Sequence, residues 1–180
     1  MKKHILGTFV LLTVGAFAAQ TASASDGTIT FTGAVTSQTC DIDGNGGGVS
    51  DFEVALPTVS IGTLAGTGST AGATPFTIKL TNCTPGTGNV HTYFEPGALT
   101  NAATGNLALE AGGAVDVEIG IFDNSTKIMM GATDADQSSP AVALVGGAAS
   151  INYIAKYVSV ADTVSAGAAN SHVAYTIVYE

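Results

Sequence analysis

From Thr74 to the end of the chain, apolar side chains return at every second position, between clusters of Gly, Asn and Pro. "TPFTIKLTNC" sets Phe76, Ile78 and Leu80 against Thr77, Lys79 and Thr81. "VDVEIGIFD" sets Val115, Val117, Ile119 and Ile121 against Asp116, Glu118 and Gly120. "SINYIAKYVSV" is apolar on both faces, with Ile151, Tyr153, Ala155 and Tyr157 on one and Ile154 and Val158 on the other, as suits a strand inside a packed sheet. "HVAYTIVYE" ends the chain with Val173, Tyr175, Ile177 and Tyr179 on one face. A period of two is the strand period, and helix formers other than Ala are scarce. Shorter strands are expected at Phe52–Leu56, Val59–Leu64, Val90–Phe94, Leu107–Leu109, Lys127–Met130 and Ala141–Leu144, with loops at 44–48, 66–72 and 100–106. Short strands without a long amphipathic helix predict an all-β sandwich.

The N-terminus sets the compartment. Lys2 and Lys3 precede an uncharged apolar run, Ile5 to Ala19, which leads to Ala22-Ser23-Ala24. This is the pattern of a secretory signal peptide, residues 1–24, cleaved before Ser25. The run is shorter than the ~20 residues that span a bilayer, and no later run is long enough, so no direct membrane insertion is expected. About 156 residues remain, enough for one domain with a core. They carry three lysines, no arginine and fourteen carboxylates. So acidic a chain is a poor partner for nucleic acid or an anionic membrane. The only cysteines, Cys40 and Cys83, read as one disulfide in an oxidising compartment. It would close about 42 residues and contribute on the order of 4 kcal/mol in the chain-entropy model.

Catalytic chemistry has little to stand on. Beyond the leader the histidines are His91 and His172, with no free cysteine and no GxSxG. Asp41-x-Asp43-x-Asn45-Gly46 begins like a calcium loop, but the twelfth position, which needs a bidentate Glu, is Phe52. A Gly-rich turn is the better reading. "GTGSTAG" lacks the G-K-[ST] ending of a phosphate loop. No enzyme activity, metal or cofactor is expected.

The two ends are the unusual parts. "SDGTITFTGAVTSQTC" alternates as a strand, with Ile29, Phe31, Gly33 and Val35 on one face, yet Gly33 gives that face nothing to pack. The last strand runs to the final residues, with Tyr179 penultimate. Terminal strands of this quality suit strand addition between subunits.

Taken in order, the leader, "GTITFTGAVTSQTC", the Cys40…Cys83 pair and "G…NSHVAYTIVYE", with Gly167 fourteenth from the end, resemble a pilin of the chaperone–usher pathway, close to the major subunit of type 1-like fimbriae. The resemblance implies an immunoglobulin-like sandwich that lacks one strand, made up of a donor extension at 25–36 and a pilin domain at 37–180. It implies that a periplasmic chaperone fills the groove first. At the outer-membrane usher the extension of the next identical or related subunit would replace the chaperone strand. The donor face would be Gly27, Ile29, Phe31, Gly33 and Val35, with Val35 starting the exchange and Cys40–Cys83 the family disulfide. Gly167, Val173, Tyr175, Ile177 and Tyr179 would border the groove and meet the chaperone. The protein is then expected in a surface fimbria supporting cell adhesion. A minor adaptor subunit and a secreted carbohydrate-binding sandwich are the alternatives.

Overall fold

The computed structural model describes residues 26–33, 35, 37 and 39–180; the expected leader and parts of the expected extension lie outside the described residues. The chain divides into two compact units, Met1–Val35 and Thr36–Glu180.

The second unit is a β-sandwich. Ten strands follow in order: β1 (Thr39–Gly44), β2 (Thr70–Thr84), β3 (Asn89–Phe94), β4 (Thr100–Asn101), β5 (Asn106–Ala108), β6 (Val117–Asp123), β7 (Thr126–Lys127), β8 (Val142–Ala143), β9 (Ala149–Ser159) and β10 (Tyr175–Tyr179). One sheet runs β1-β2-β9-β6-β5-β4, with β7 also on β6, and the other runs β10-β3-β8. Every ladder is antiparallel.

The period-two reading explains the packing. Ile78 and Leu80 on β2 and Ile151 on β9 are fully buried, with Ile78 opposite Ile151 and Phe76 opposite Tyr153. Tyr153 joins the sheets: its ring lies 5.5 Å from that of Phe76 and 5.3 Å from that of Phe94 on β3. Its buried hydroxyl shares a 2.7 Å hydrogen bond with Ser139 Oγ, as a buried phenol requires. Cys40 and Cys83 form a disulfide with Cα atoms 4.1 Å apart, where Thr39 of β1 pairs with Thr84 of β2.

Several sequence expectations need correction. The loop expected at 66–72 is partly strand, because β2 starts at Thr70 and pairs there with Val158. The loop expected at 100–106 is a tight hairpin, with Thr100 opposite Leu107 and Asn101 opposite Asn106. Val115, expected inside a strand, is exposed, because Asp116 at φ 63° breaks the extended path before β6. Glu118, placed on the polar face, is buried and not solvated. It accepts from Asn101 Nδ2 at 2.7 Å, Thr104 Oγ1 at 2.6 Å and Asn106 Nδ2 at 2.9 Å. Those hydrogen bonds replace water around the carboxylate. Burial lowers the pKa of nearby Lys127, and the Glu118 charge opposes that shift. The 44–48 stretch is a turn, as expected, and Asp43 Oδ1 accepts the Gly48 N–H at 2.7 Å.

Residues 26–33 are not assigned as strand. Ile29, Phe31 and Val35 are 80%, 89% and 103% exposed. An alternating sequence sets which faces a strand would have, but only a partner ladder satisfies its backbone and makes it one.

Candidate functional site

Two edges of the sandwich face each other without a strand between them among the described residues. One is β10, the edge strand of its sheet, which pairs only with β3: Tyr175 with Phe94, Ile177 with Thr92 and Tyr179 with Val90. In an antiparallel edge strand, alternate amide and carbonyl groups point away from the ladder, and here they point at the gap. The segment before β10 is bonded on its other side alone, through Ala114 N–H to Ala168 O at 2.7 Å and Glu110 N–H to Asn170 O at 2.9 Å.

The opposite edge is the stretch Asp51–Val59. Its burial alternates as a strand's would, with Phe52, Val54 and Leu56 half-buried between exposed neighbours. Yet none of its backbone groups bonds to another backbone group among the described residues. The strand expected at Phe52–Leu56 therefore has its side-chain pattern but no ladder. The one expected at Val59–Leu64 ends in a 3₁₀ turn, Ile61–Leu64, in which Ser60 Oγ accepts the Gly62 N–H.

Between these edges lies a cleft of about 1010 Å³. Phe76, Phe94, Leu107, Ile119, Ile121 and Ala155 form its floor, and Val173, Tyr175, Ile177 and Tyr179 turn into it from one side. Alternation puts all four on one face of the last strand. Phe52 and Tyr175 reach toward each other from the two edges, with ring centroids 6.0 Å apart, and the Tyr175 hydroxyl donates to Ser50 O at 2.7 Å. Burial raises the phenol pKa of Tyr157, Tyr175 and Tyr179; Asp51 adds to the effect at Tyr175. The phenols therefore stay neutral in an apolar site.

A second recess of about 300 Å³ continues along the same two edges, lined by Thr58, Val59, Ile61 and Leu64 on one side and Val164 to Ala169 on the other. Tyr157 and Ala169 line both spaces and so mark where the cleft meets the recess. Gly167 stands at this end because the backbone passes too close for a side chain. A Cβ there would lie 2.5 Å from Ala114 N. Sequence reading did not find the floor residues as groove residues, since each looks like an ordinary core position until one strand is missing above it.

Elsewhere, His91 Nε2 lies 2.8 Å from Asp134 Oδ1 and Nδ1 lies 3.2 Å from Glu180 Oε1. No Ser, Thr or Cys is bonded to its ring among the described residues.

The family model for the type-1 fimbrial protein FimA matches residues 56–180. The chain belongs to the type-1 fimbrial protein family. It is 43% identical over 165 residues to the major fimbrial subunit SMF-1 of Stenotrophomonas maltophilia, covering 88% of this chain and 95% of that one. It is 39% identical over 179 residues to the F17 fimbrial protein of Escherichia coli, covering 96% and 97%. The fold is similar to that of a Burkholderia pseudomallei antigen and type I fimbria protein, with TM-score 0.53 and 26% identity over 79% of this chain and 95% of that one. Type-1 fimbrial proteins are structural subunits rather than enzymes.

Proposed function

We propose that this chain is a structural subunit of a chaperone–usher fimbria, built head-to-tail by insertion of residues 25–36 of one subunit into the groove of the next. The carrying observation is the groove itself: an apolar cleft whose two flanking edges both have backbone groups without a backbone partner among the described residues. Such edges invite uncontrolled pairing until a strand covers them. A periplasmic chaperone strand covers them first, and the usher directs its replacement by the donor.

The order of donor side chains fits the order of spaces when the donor runs antiparallel to β10. Ile29 and Phe31 fill the large cleft, Gly33 passes the junction at Tyr157 and Ala169, and Val35 enters the recess. Gly27 then lies toward Tyr179. Antiparallel pairing is also the more stable sense, and every other ladder of the domain uses it. Gly33 supports the same reading from another direction. Its φ is outside the left-handed region, and a Cβ on it would meet nothing within 4 Å among the described residues. Among the described residues nothing asks for glycine at this position, which supports a demand set by a partner. Since each subunit gives one strand and takes one, the contact does not close and propagates as a fibre.

Deletion of residues 25–36 tests this. The truncated subunit is expected to keep its chaperone complex and lose polymerisation. Fibres forming at the normal rate without those residues would overturn the proposal.

A further inference from the structure

Among the described residues of the sandwich, Val49, Ile61, Val115 and Val145 are exposed apolar side chains, and two features built from them matter here. One rims the recess: Ile61 is 51% exposed and Val115 57%, and Val115 is held beside the recess wall by paired bonds with Ser165. The other is Val145, 77% exposed, at the start of the turn between β8 and β9. That turn is tight: Gly146 and Gly147 have φ of 60° and 76°, and Val145 and Ala148 exchange backbone hydrogen bonds of 2.9 and 3.2 Å. It is pinned to the disulfide, because Gly147 O accepts the Cys83 N–H at 3.0 Å, and Gly147 N–H donates to Gly86 O at 3.1 Å.

Chain length connects the two features. Only four residues separate Val35 from Cys40. Fully extended, the five steps between them span at most about 17 Å. A donor whose Val35 sits in the recess must therefore hold its own disulfide, and the Val145 turn beside it, close to the recess mouth of the acceptor.

We infer that the Val145 turn of the donor subunit docks on the Ile61–Val115 rim of the acceptor, a body-to-body contact between two copies of this chain that continues the groove interface. The inference rests on the donor-strand reading above, because only that reading brings the disulfide end of one copy to the recess of another. The contact buries three side chains that the isolated subunit leaves in water. It also limits how far each subunit can swing about its short linker.

The test uses assembled fibres of the full chain. Val145→Cys combined with Ile61→Cys, and separately with Val115→Cys, is oxidised and run without reductant. At least one pair is expected to give a ladder of covalent multimers, absent from chaperone-bound single subunits. Val35→Cys with Ala169→Cys is the companion pair for the donor strand. If the companion pair ladders and neither Val145 pair does, the body contact is overturned and the donor reading stands. If the companion pair also fails while fibres form, the donor reading falls and takes this inference with it. Charge exchange gives an independent readout. Val145→Asp with Val115→Asp is expected to speed fibre disassembly about tenfold, and Val145→Asp with Val115→Lys to recover most of it. Equal disassembly rates in both double variants and the unmodified chain would overturn the contact.

Discussion

Replacing Phe31 with Ala is the sharpest perturbation of the donor strand. Phe31 is 89% exposed in the structure, so nearly all of its surface is available for burial by a partner. At about 25 cal/mol per Å², fully burying such a ring contributes about 1.5–3 kcal/mol. The space left beneath an alanine raises the cost of truncation to about 3–5 kcal/mol if the groove does not relax. A loss of about 2–4 kcal/mol corresponds to about 30-fold to 1,000-fold weaker subunit joining. The assay is the rate at which purified fibres fall to monomers in a fixed concentration of denaturant. Thr30→Ala and Thr32→Ala are the controls. Their side chains alternate with Phe31 and in the proposed joint face away from the groove, so they are expected to change the rate less than threefold, the usual range for surface changes. If either threonine variant disassembles as fast as Phe31→Ala, the alternation does not define the buried face and the reasoning fails.

Three further outcomes follow from the same geometry. Gly33→Leu is expected to block joining more severely than Gly33→Ala, read as polymer yield from chaperone-bound subunits, because in the proposed joint the longer side chain must pass Tyr157 and Ala169, where cleft and recess meet. Gly167→Ala is expected to destabilise the domain by about 1–3 kcal/mol, measured by denaturation of the chaperone complex, since its Cβ would press on Ala114. Alkaline pH should destabilise the domain. Burial raises the pKa of Tyr157, Tyr175 and Tyr179, so the stability they contribute is fully present below the ordinary phenol range and is lost as pH climbs through the raised values. Denaturation midpoints of the subunit that stay flat across that climb would contradict it.

Much of the sandwich was legible because burial here follows a period of two. The sequence faces Ile151–Tyr153–Ala155–Tyr157 and Val173–Tyr175–Ile177–Tyr179 are the inward faces found in the structure. What was illegible depended on pairing. Phe52, Val54 and Leu56 have a strand's alternation, but no property of their own sequence says that the neighbouring strand is absent. The same holds for Ile29 and Phe31, whose pattern is complete while the ladder that would make them a strand is not in the chain's own described residues. Glu118 was misread because its three donors come from the β4–β5 hairpin, whose turn residues look like a solvent loop. Asp116 defeated the placement of Val115 through a single left-handed backbone angle. Alternation is written locally, whereas a missing neighbour, a polar burial and a kink depend on the rest of the fold.

The central claim is that a donor strand from one subunit runs antiparallel to β10 in the groove of another. Oxidative cross-linking of fibres tests it most directly, comparing Val35→Cys with Ala169→Cys against Val35→Cys with Tyr179→Cys. The account predicts a long covalent ladder from the Ala169 pair and none from the Tyr179 pair. A ladder from the Tyr179 pair with none from the Ala169 pair would contradict it.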